Sequence, residues 1–356
     1  MGKALDRSGS FCYNQRRRCD KGVTSDGATL FVCNRKHWVG CIGSRMPGVT
    51  DVKEVLMKKA LGLGILGSFF FAFTFILNRS MNLSGGFWMW SAVLRYVYTL
   101  PILAVILWKN HQMREILGEI RKRPGFWILW STVGFGLFYA PLSLASTYGE
   151  SWLIASTWQI TIVAGVLLTP LSGKRIPFKN LAMSCLILSG IFLMQSTHFR
   201  ENSTENLAAV LILIVIAAFS YPLGNRMTMD GCPKHLTSMQ RIFGMTLCSM
   251  PFWAVCAVWA GTQSGLPSSD QHLQSFLVAL FSGVIATWLF FYATDLVKHN
   301  ARWLALIEAT QSGEVVFTLF GGILLLGDAM PSAAGFAGIA LILIGMTANS
   351  LAAGGR

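Results

Sequence analysis

Acidic residues inside a strongly apolar stretch are the part of this sequence with the clearest capacity for chemistry. Glu308 and Glu314 both lie in the apolar stretch 303–326. If this stretch crosses a bilayer, each charged group costs about 2.5–3.5 kcal/mol near mid-helix, so a charge there usually serves a function. A carboxyl group in such a place can bind a cationic group or exchange a proton. The alternatives are a buried ion pair and a hydrogen-bonded packing seam.

The polar residues of this stretch share one face of the predicted helix, because each residue turns the helix by about 100°. The face contains Glu308, Thr310, Gln311, Ser312, Glu314 and Thr318. It would be unfavourable toward lipid, so we expect it to face other helices or a cavity. At about 1.5 Å per residue, Glu314 lies roughly 16 Å into the stretch and Glu308 roughly 8 Å. We predict that Glu314, Glu308, Gln311 and Thr310 bind substrate or protons.

Two arginines also lie inside apolar stretches, Arg95 in 87–107 and Arg241 in 236–260. Their natural partners are Glu308 and Glu314, although the sequence does not assign the pairs. For both arginines we favour a structural ion pair over direct contact with a substrate.

Trp158 and Gln159 lie in the middle of the apolar stretch 151–171. An aromatic ring at that depth can form part of a cage for a flat or cationic molecule. We therefore add both residues to the predicted substrate site. The alternative for tryptophan is anchoring at the membrane interface, which explains most of the others in this chain.

The elements that position these residues follow from composition. Of the 356 residues, 53% are hydrophobic and 13% are charged, against about 25% charged in soluble domains. A membrane helix needs about 20 mostly apolar residues, and ten stretches meet this requirement. They are 60–78, 87–107, 126–146, 151–171, 178–195, 207–226, 236–260, 273–295, 303–326 and 331–350. We predict an all-α integral membrane protein with ten transmembrane helices.

The net charge of +13 follows the membrane topology and does not indicate a nucleic-acid partner. With the N-terminus inside, twelve Lys and Arg fall in the inside loops and two in the outside loops. This is the positive-inside pattern. We therefore expect a multi-pass protein of the plasma membrane with both termini in the cytoplasm.

The first 56 residues differ from the rest of the chain. They contain ten of the 29 Lys and Arg and no long apolar stretch. Met57-Lys58-Lys59 then directly precedes the first apolar stretch, so we expect that segment 1–56 is an over-called start, or else a disordered tail. The eight cysteines show no spacing typical of zinc sites or disulfide frameworks, and we predict neither metal nor cofactor.

The two halves of the chain, 57–200 and 201–356, resemble each other in order. Asn78-Arg79 near the end of the first helix corresponds to Asn225-Arg226 near the end of the sixth, and Arg95 corresponds to Arg241. An odd number of helices per repeat forces the second copy to be inverted in the membrane. Inverted repeats are typical of transporters with alternating access. We predict two inverted five-helix repeats.

These features resemble the drug/metabolite transporter superfamily, in its ten-helix, EamA-type branch, and within it the members called multidrug resistance efflux transporters. The resemblance covers residues 57–356. That branch typically has a Glu near the start of its ninth helix and Gly-Glu at its end. Glu308 matches the first, and Gly327-Asp328 matches the second with Asp in place of Glu. Small four-helix relatives couple proton and drug through a Glu in helix 1, but here that helix has no acid, so this role is not transferred.

The resemblance implies a secondary active transporter. We expect export of drugs or related amphipathic small molecules, with the proton as coupling ion, the lipid bilayer as surroundings and a monomer as a compatible state. The alternatives are a carrier of metabolites such as amino acids, and a membrane scaffold or receptor. An enzyme is not expected, since His-Glu-x-x-His, Gly-x-Ser-x-Gly and phosphate-loop motifs are absent from the sequence. A free carboxylate would favour cationic drugs, and a free arginine would favour zwitterions or anions.

Overall fold

The computed structural model describes residues 20–23, 29–32, 49–172, 176, 178–201, 204–233, 235–297 and 300–354. The chain divides into two compact units, Met1–Val55 and Leu56–Arg356. The first contains an antiparallel hairpin of β1 (Asp20–Val23) and β2 (Thr29–Val32), with Asp20 opposite Val32. Most of the segment expected to be an over-called start or a disordered tail lies outside the described residues.

The second unit is a bundle of apolar helices. Ten helices in the described part of the chain are long and apolar enough to cross a membrane. Spans 1 to 10 are Val55–Leu83, Trp88–Lys109, Pro124–Ala145, Ser151–Leu171, Phe178–Gln195, Ala208–Gly231, Ser238–Ser264, Ser269–Val297, Leu306–Leu326 and Ala333–Ala352. The predicted all-α membrane architecture with ten helices is confirmed.

The described residues form fifteen α-helices, fourteen of which contribute to the spans. They are α1 (Val49–Leu83), α2 (Trp88–Lys109), α3 (Met113–Lys122), α4 (Pro124–Ser131), α5 (Leu137–Ala145), α6 (Ser151–Trp158), α7 (Ile160–Leu167), α8 (Phe178–Glu201), α9 (Thr204–Gly231), α10 (Ser238–Ser264), α11 (Ser269–Val278), α12 (Thr287–Val297), α13 (Ala301–Ala309), α14 (Gly313–Gly321) and α15 (Ala333–Gly354). Helix α3 is the short amphipathic helix in the basic loop between spans 2 and 3.

Local sequence signals set several helix ends. Helix α10 begins with a capping box, in which Thr237 Oγ1 accepts from the Gln240 N–H at 3.2 Å and Gln240 Oε1 accepts from the Thr237 N–H at 2.8 Å. These bonds satisfy N–H groups that the helix itself leaves free. The same helix ends before Gly265, whose φ of 71° suits glycine.

Equivalent spans of the two halves are interrupted at equivalent places. Spans 3 and 8 each contain a π-helical segment, at Thr132–Gly136 and Ala279–Ala286. Span 4 breaks at Gln159, and span 9 changes to a 3₁₀ turn at Thr310–Ser312. Such interruptions inside transmembrane helices often mark functional sites. The predicted site residues Gln159, Thr310 and Gln311 all lie at these breaks.

Contacts between spans 5 and 10 are consistent with the predicted inverted repeat. A Cβ built on Gly190 would lie 2.9 Å from Ile342 Cγ1, and one built on Gly345 would lie 2.7 Å from Ile187 Cγ1. Gly345 and Ile342 follow Gly190 and Ile187 at a constant offset of 155 residues. Exchanging the halves therefore converts each contact into the other, as a two-fold axis between the repeats requires.

The packing of the remaining spans follows the same exchange. Span 2 packs on span 8 as span 7 packs on span 3, and span 10 packs on span 9 as span 5 packs on span 4. The largest apolar core lies among spans 2, 3, 4, 6 and 7. At its centre Tyr96 stacks on Trp253 with ring centroids 4.7 Å apart.

Candidate functional site

Arg95 lies in the middle part of span 2 and points into the bundle. Its Nη1 donates to Thr74 Oγ1 at 3.5 Å, and its Nη2 donates to Ser282 Oγ at 3.2 Å. Its guanidinium carbon also lies 4.0 Å from the centroid of the Tyr139 ring, within the range of a cation–π interaction. Neutral groups of spans 1, 3 and 8 therefore hold the guanidinium in place.

A second hydrogen-bonded pair fixes the Tyr139 ring under Arg95. Asn78 Nδ2 donates to the Tyr139 hydroxyl at 3.0 Å, and that hydroxyl lies 3.3 Å from Asn78 Oδ1. Both side chains are buried. A buried polar group without a partner is costly, so this pair fixes both the depth and the tilt of the ring.

Glu314 lies two residues beyond the break in span 9, and eight residues, or about 12 Å, from Leu306 at the rise of an α-helix. Close approach of span 1 sets its position. A Cβ built on Gly64 would lie 2.5 Å from Thr310 Oγ1, and one built on Gly313 would lie 2.8 Å from Ser68 Oγ. Small residues thus let the two backbones meet on either side of the break.

The Glu314 carboxylate is half-buried and unpaired. It has no hydrogen-bond or salt-bridge partner among the residues that the structure describes. Gly313, the residue before it, lies against Ser68 of span 1, and Arg95 donates to Thr74 of the same span. Arg95 and Glu314 thus both lie on spans that pack against span 1, and they form no salt bridge among the described residues. We call Arg95, Tyr139, Tyr221 and Glu314 the Arg95–Glu314 site.

This geometry differs from the ion pair expected for Arg95. Within the described residues the Arg95 guanidinium has hydroxyl and aromatic partners and no carboxylate. Thr74, Ser282 and the Tyr139 ring hold it away from span 9. The side chain contacts three other spans and is partly buried.

An aromatic wall of three rings adjoins the site. The Phe138 centroid lies 5.1 Å from the Trp158 ring and 4.8 Å from the Tyr221 ring. Trp158 and Tyr221 are 5.9 Å apart in an edge-to-face arrangement. The Phe138 centroid also lies 5.6 Å from that of Tyr139, the ring under Arg95, so the predicted residue Trp158 lies behind the site.

The other polar residues predicted on spans 4 and 9 mostly bond within their own helices. Gln159 is buried and donates from Nε2 to the Ala155 carbonyl at 3.0 Å. The Thr310 hydroxyl donates to the Ile307 carbonyl at 2.6 Å. Gln311 is half-buried and makes no side-chain hydrogen bond in the part of the chain that the structure describes. Of these three residues, Gln311 is the one whose side-chain amide makes no hydrogen bond within the described part of the chain.

Glu308 and Arg241 lie away from the Arg95–Glu314 site. Glu308 is exposed on α13. Arg241 donates from Nη2 to Ser238 Oγ at 3.0 Å, on the first turns of α10. The ion pair expected between Arg241 and a glutamate of span 9 is not present among the described residues.

Sequence reasoning missed several members of the site and its support, namely Thr74, Asn78, Tyr139, Tyr221 and Ser282. A signal existed for three of them, because Thr74, Asn78 and Tyr221 lie in the similar segments 73–79 and 219–226 that end the first and sixth helices. No comparable signal marked Tyr139 or Ser282. No group of three or more His, Cys, Asp or Glu that could hold a metal occurs in the described residues.

Comparisons with known proteins agree with this architecture. A family model described as "EmrE: Putative multidrug resistance efflux transporter" matches residues 58–354. The "Uncharacterized protein YjlA" of Bacillus subtilis (strain 168) is 48% identical over 307 residues, covering 83% of this chain and 95% of its own length.

A second relative, from Shouchella clausii, is the "Uncharacterized 42.1 kDa protein in intracellular alkaline protease 3'region". It is 44% identical over 271 residues, which cover 72% of this chain and 70% of its own length. One solved crystal structure aligns with a TM-score of 0.58 at 15% identity, over 83% of this chain and 98% of the other. At that identity the likeness supports the fold alone.

Proposed function

Because the chain belongs to the family described as "Putative multidrug resistance efflux transporter", we propose that it is a secondary active transporter that exports small amphipathic molecules in exchange for protons, with Glu314 as the coupling acid. The family and the ten spans make it a multi-pass membrane protein of the transporter type. The loop charges support a plasma-membrane location with both termini in the cytoplasm.

The observation that carries this proposal is the unpaired carboxylate of Glu314 at mid-span. A buried carboxylate that serves only stability is normally satisfied by an ion pair or several hydrogen bonds. Glu314 has neither among the described residues, although its side chain is partly buried. A group in this state can bind a proton or a cationic group of a substrate, but not both together.

Competition at one carboxyl group is sufficient for exchange. When a proton leaves Glu314, the negative charge can attract a substrate ammonium group, and a returning proton displaces it. Arg95 supplies a fixed positive charge on the other side of the site, because its three neutral partners hold it there. Proton uptake therefore changes the charge balance of the whole site and not only of one side chain.

The helix breaks and the repeat supply a route for access. Spans 4 and 9 both change helical geometry at mid-depth, and span 9 carries Glu314 directly after its break. In an inverted repeat the two halves can exchange conformations, which opens the same central site to either side of the membrane. We propose that this exchange presents Glu314 alternately to the two compartments.

The test is proton-driven transport in proteoliposomes containing the full chain. An imposed pH gradient should drive ethidium or phenethylamine movement. Glu314→Gln should reduce the transport rate at least about ten-fold, which corresponds to a free-energy difference of about 1.4 kcal/mol. Glu119→Gln, on α3 outside the spans, serves as the matched control. Transport that is undiminished in Glu314→Gln but lost in Glu308→Gln would transfer the coupling role to Glu308. Transport that ignores the pH gradient would remove the proton from the mechanism.

A further inference from the structure

Contacts between the two halves of the chain differ at the two ends of the bundle, and the difference bears on the state in which the transporter rests. We propose that Asp328 is a positioning residue for transport. It holds the start of span 4 against the segment that follows span 9, and so keeps that end of the bundle closed when no substrate is bound. The inference rests on the proposed function for alternating access, but not on the role of Glu314 or on the identity of the substrate.

The Asp328 side chain joins three segments of the chain. Its Oδ2 accepts from the Ser151 backbone N–H at 2.9 Å and from the Ser151 hydroxyl at 2.5 Å, and its Oδ1 lies 3.7 Å from Arg79 Nε. Trp152 Nε1 adds a hydrogen bond to the Ala329 carbonyl at 3.0 Å. Because the Asp328 side chain is only 2% exposed, loss of its donors would leave a poorly solvated carboxylate, which is costly.

Two glycines allow the segment after span 9 to reach span 4. Gly327 ends the last turn of span 9 with a φ of 69°, a conformation that suits glycine, and the next N–H, that of Asp328, returns to the Gly322 carbonyl at 3.1 Å. A Cβ built on Gly322 would collide with both Ser151 Oγ and Asp328 Oδ2. The backbone of span 9 is therefore shaped so that the carboxylate meets the helix start directly.

The contact crosses from one half of the chain to the other. Ser151 and Arg79 belong to the half 57–200, and Asp328 belongs to the half 201–356. When one half moves relative to the other, as alternating access in an inverted repeat requires, the distance between these groups must change. Opening at this end therefore separates the Asp328 carboxylate from its donors.

The repeat places a corresponding set of residues at the opposite end of the bundle. Arg226 on span 6 follows Arg79 on span 1 at an offset of 147 residues, and Gly173-Lys174 corresponds to Gly327-Asp328 at an offset of 154. The position of the carboxylate is thus occupied in the sequence by a lysine. Since an arginine and a lysine repel each other, these positions cannot form an ion pair like that of Arg79 with Asp328.

The contact that Arg226 does make is of another kind. Its Nη2 donates to the Gly165 carbonyl at 2.5 Å, and Gly165 lies inside span 4 rather than after its end. This contact also joins the two halves, but its acceptor is a neutral backbone group. Attraction between opposite charges therefore contributes to the contact at the Asp328 end and not to the contact between Arg226 and Gly165.

Unequal ends give the two transport states unequal free energies. If the halves were identical, exchanging their conformations would convert one state into the other with no change in free energy. Closure at the Asp328 end gains two hydrogen bonds to a carboxylate and one ion pair, and the sequence of the other end offers no equivalent. The difference favours the state closed at the Asp328 end, and each transport cycle must break the contact once.

Hydrogen–deuterium exchange of the full chain in proteoliposomes, with no substrate and no pH gradient, tests this proposal. Asp328→Asn keeps the shape of the side chain but removes its charge. Hydrogen bonds to a charged group shift an equilibrium by about ten-fold or more, so amides 151–154 should exchange about ten-fold faster. Amides 163–168 and 226–231, at the opposite end, should exchange more slowly, because opening one end closes the other. Asp270→Asn, at an exposed position at the start of α11, should change neither.

The reciprocal change separates a contact that controls opening from a local helix cap. Faster exchange at 151–154 without slower exchange at the opposite end would overturn the proposal, because a lost cap acts only on its own helix. Unchanged exchange at both ends would contradict it equally. If Asp328→Asn does not fold, Ser151→Ala removes one of the two hydrogen bonds and should give smaller changes in the same two directions, and their absence would also count against Asp328. A reciprocal change together with transport that survives Glu314→Gln would support Asp328 and remove only the proposed coupling acid.

Discussion

Ser151 and Asp328 form a buried contact that joins the start of span 4 to the residues following span 9. Asp328 Oδ2 accepts from the Ser151 backbone N–H at 2.9 Å and from its hydroxyl at 2.5 Å. Asp328 Oδ1 lies 3.7 Å from Arg79 Nε. A carboxylate from one repeat thus caps a helix N-terminus of the other, where negative charge is favourable. The contact lies at the end of the bundle opposite the basic loops.

Asp328→Ala should destabilise the fold, since it leaves the Ser151 N–H and hydroxyl without their acceptor and Arg79 without its ion-pair partner. We expect a loss of about 1–3 kcal/mol, measured by thermal unfolding in detergent. Asp270→Ala provides the control, because Asp270 is an exposed residue at the start of α11. Equal stability of the two variants would mean that the Asp328 contact contributes nothing measurable.

Gly64→Val should reduce transport more than Gly62→Val. Any side chain at Gly64 meets Thr310 at the break of span 9, whereas Gly62 has no atom within 4 Å of a built Cβ. Displacement of span 9 would move Glu314 away from Arg95. Uptake in proteoliposomes, normalised to the amount of folded protein, gives the comparison. An equal loss of transport in both variants would mean that the substitutions act on span 1 itself and not on its contact with span 9.

Gly190→Ala and Gly345→Ala should both weaken the contact between spans 5 and 10. A Cβ at Gly190 would lie 2.6 Å from the Gly338 carbonyl oxygen, and one at Gly345 would lie 3.1 Å from the Ile187 nitrogen. Backbone atoms cannot avoid the new methyl group by changing rotamer, so each substitution should lower the free energy of unfolding by about 1–3 kcal/mol. Unfolding in mixed micelles measures this loss. Gly125→Ala, where nothing lies within 4 Å, should be close to neutral. A clearly larger loss of stability for one of the two variants would argue against equivalent roles of Gly190 and Gly345 in the contact between spans 5 and 10.

Tyr139→Phe and Tyr139→Leu separate the two functions of this side chain. The Tyr139→Phe variant keeps the ring under Arg95 but leaves Asn78 without its partner, so we expect about 1–3 kcal/mol of lost stability and retained proton-driven phenethylamine uptake. The Tyr139→Leu variant also removes the cation–π contact, so its uptake per folded protein should fall below that of Tyr139→Phe. Tyr148→Phe, at a partly exposed position, is the control. Identical uptake by both Tyr139 variants would show that the ring does not position Arg95.

Local properties of the sequence predicted the membrane architecture. Hydropathy over about 20 residues located all ten spans, with ends that differ by a few residues because helices extend beyond the hydrocarbon core. The periodicity of span 9 also indicated Glu314 as an interior group. Its depth depends only on the helical rise, which every α-helix shares.

The partners of these residues were decided by the tertiary structure. Thr74 and Ser282, which hold Arg95, are 208 positions apart in the sequence, and no local pattern relates them. The sequence therefore favoured an ion pair for Arg95, whereas packing gave it hydroxyl and aromatic partners and left Glu314 unpaired. Hydropathy depends on each residue and its immediate neighbours. Pairing depends on how whole helices rotate and approach one another, and in this chain glycine contacts such as those of Gly64 and Gly313 set that approach.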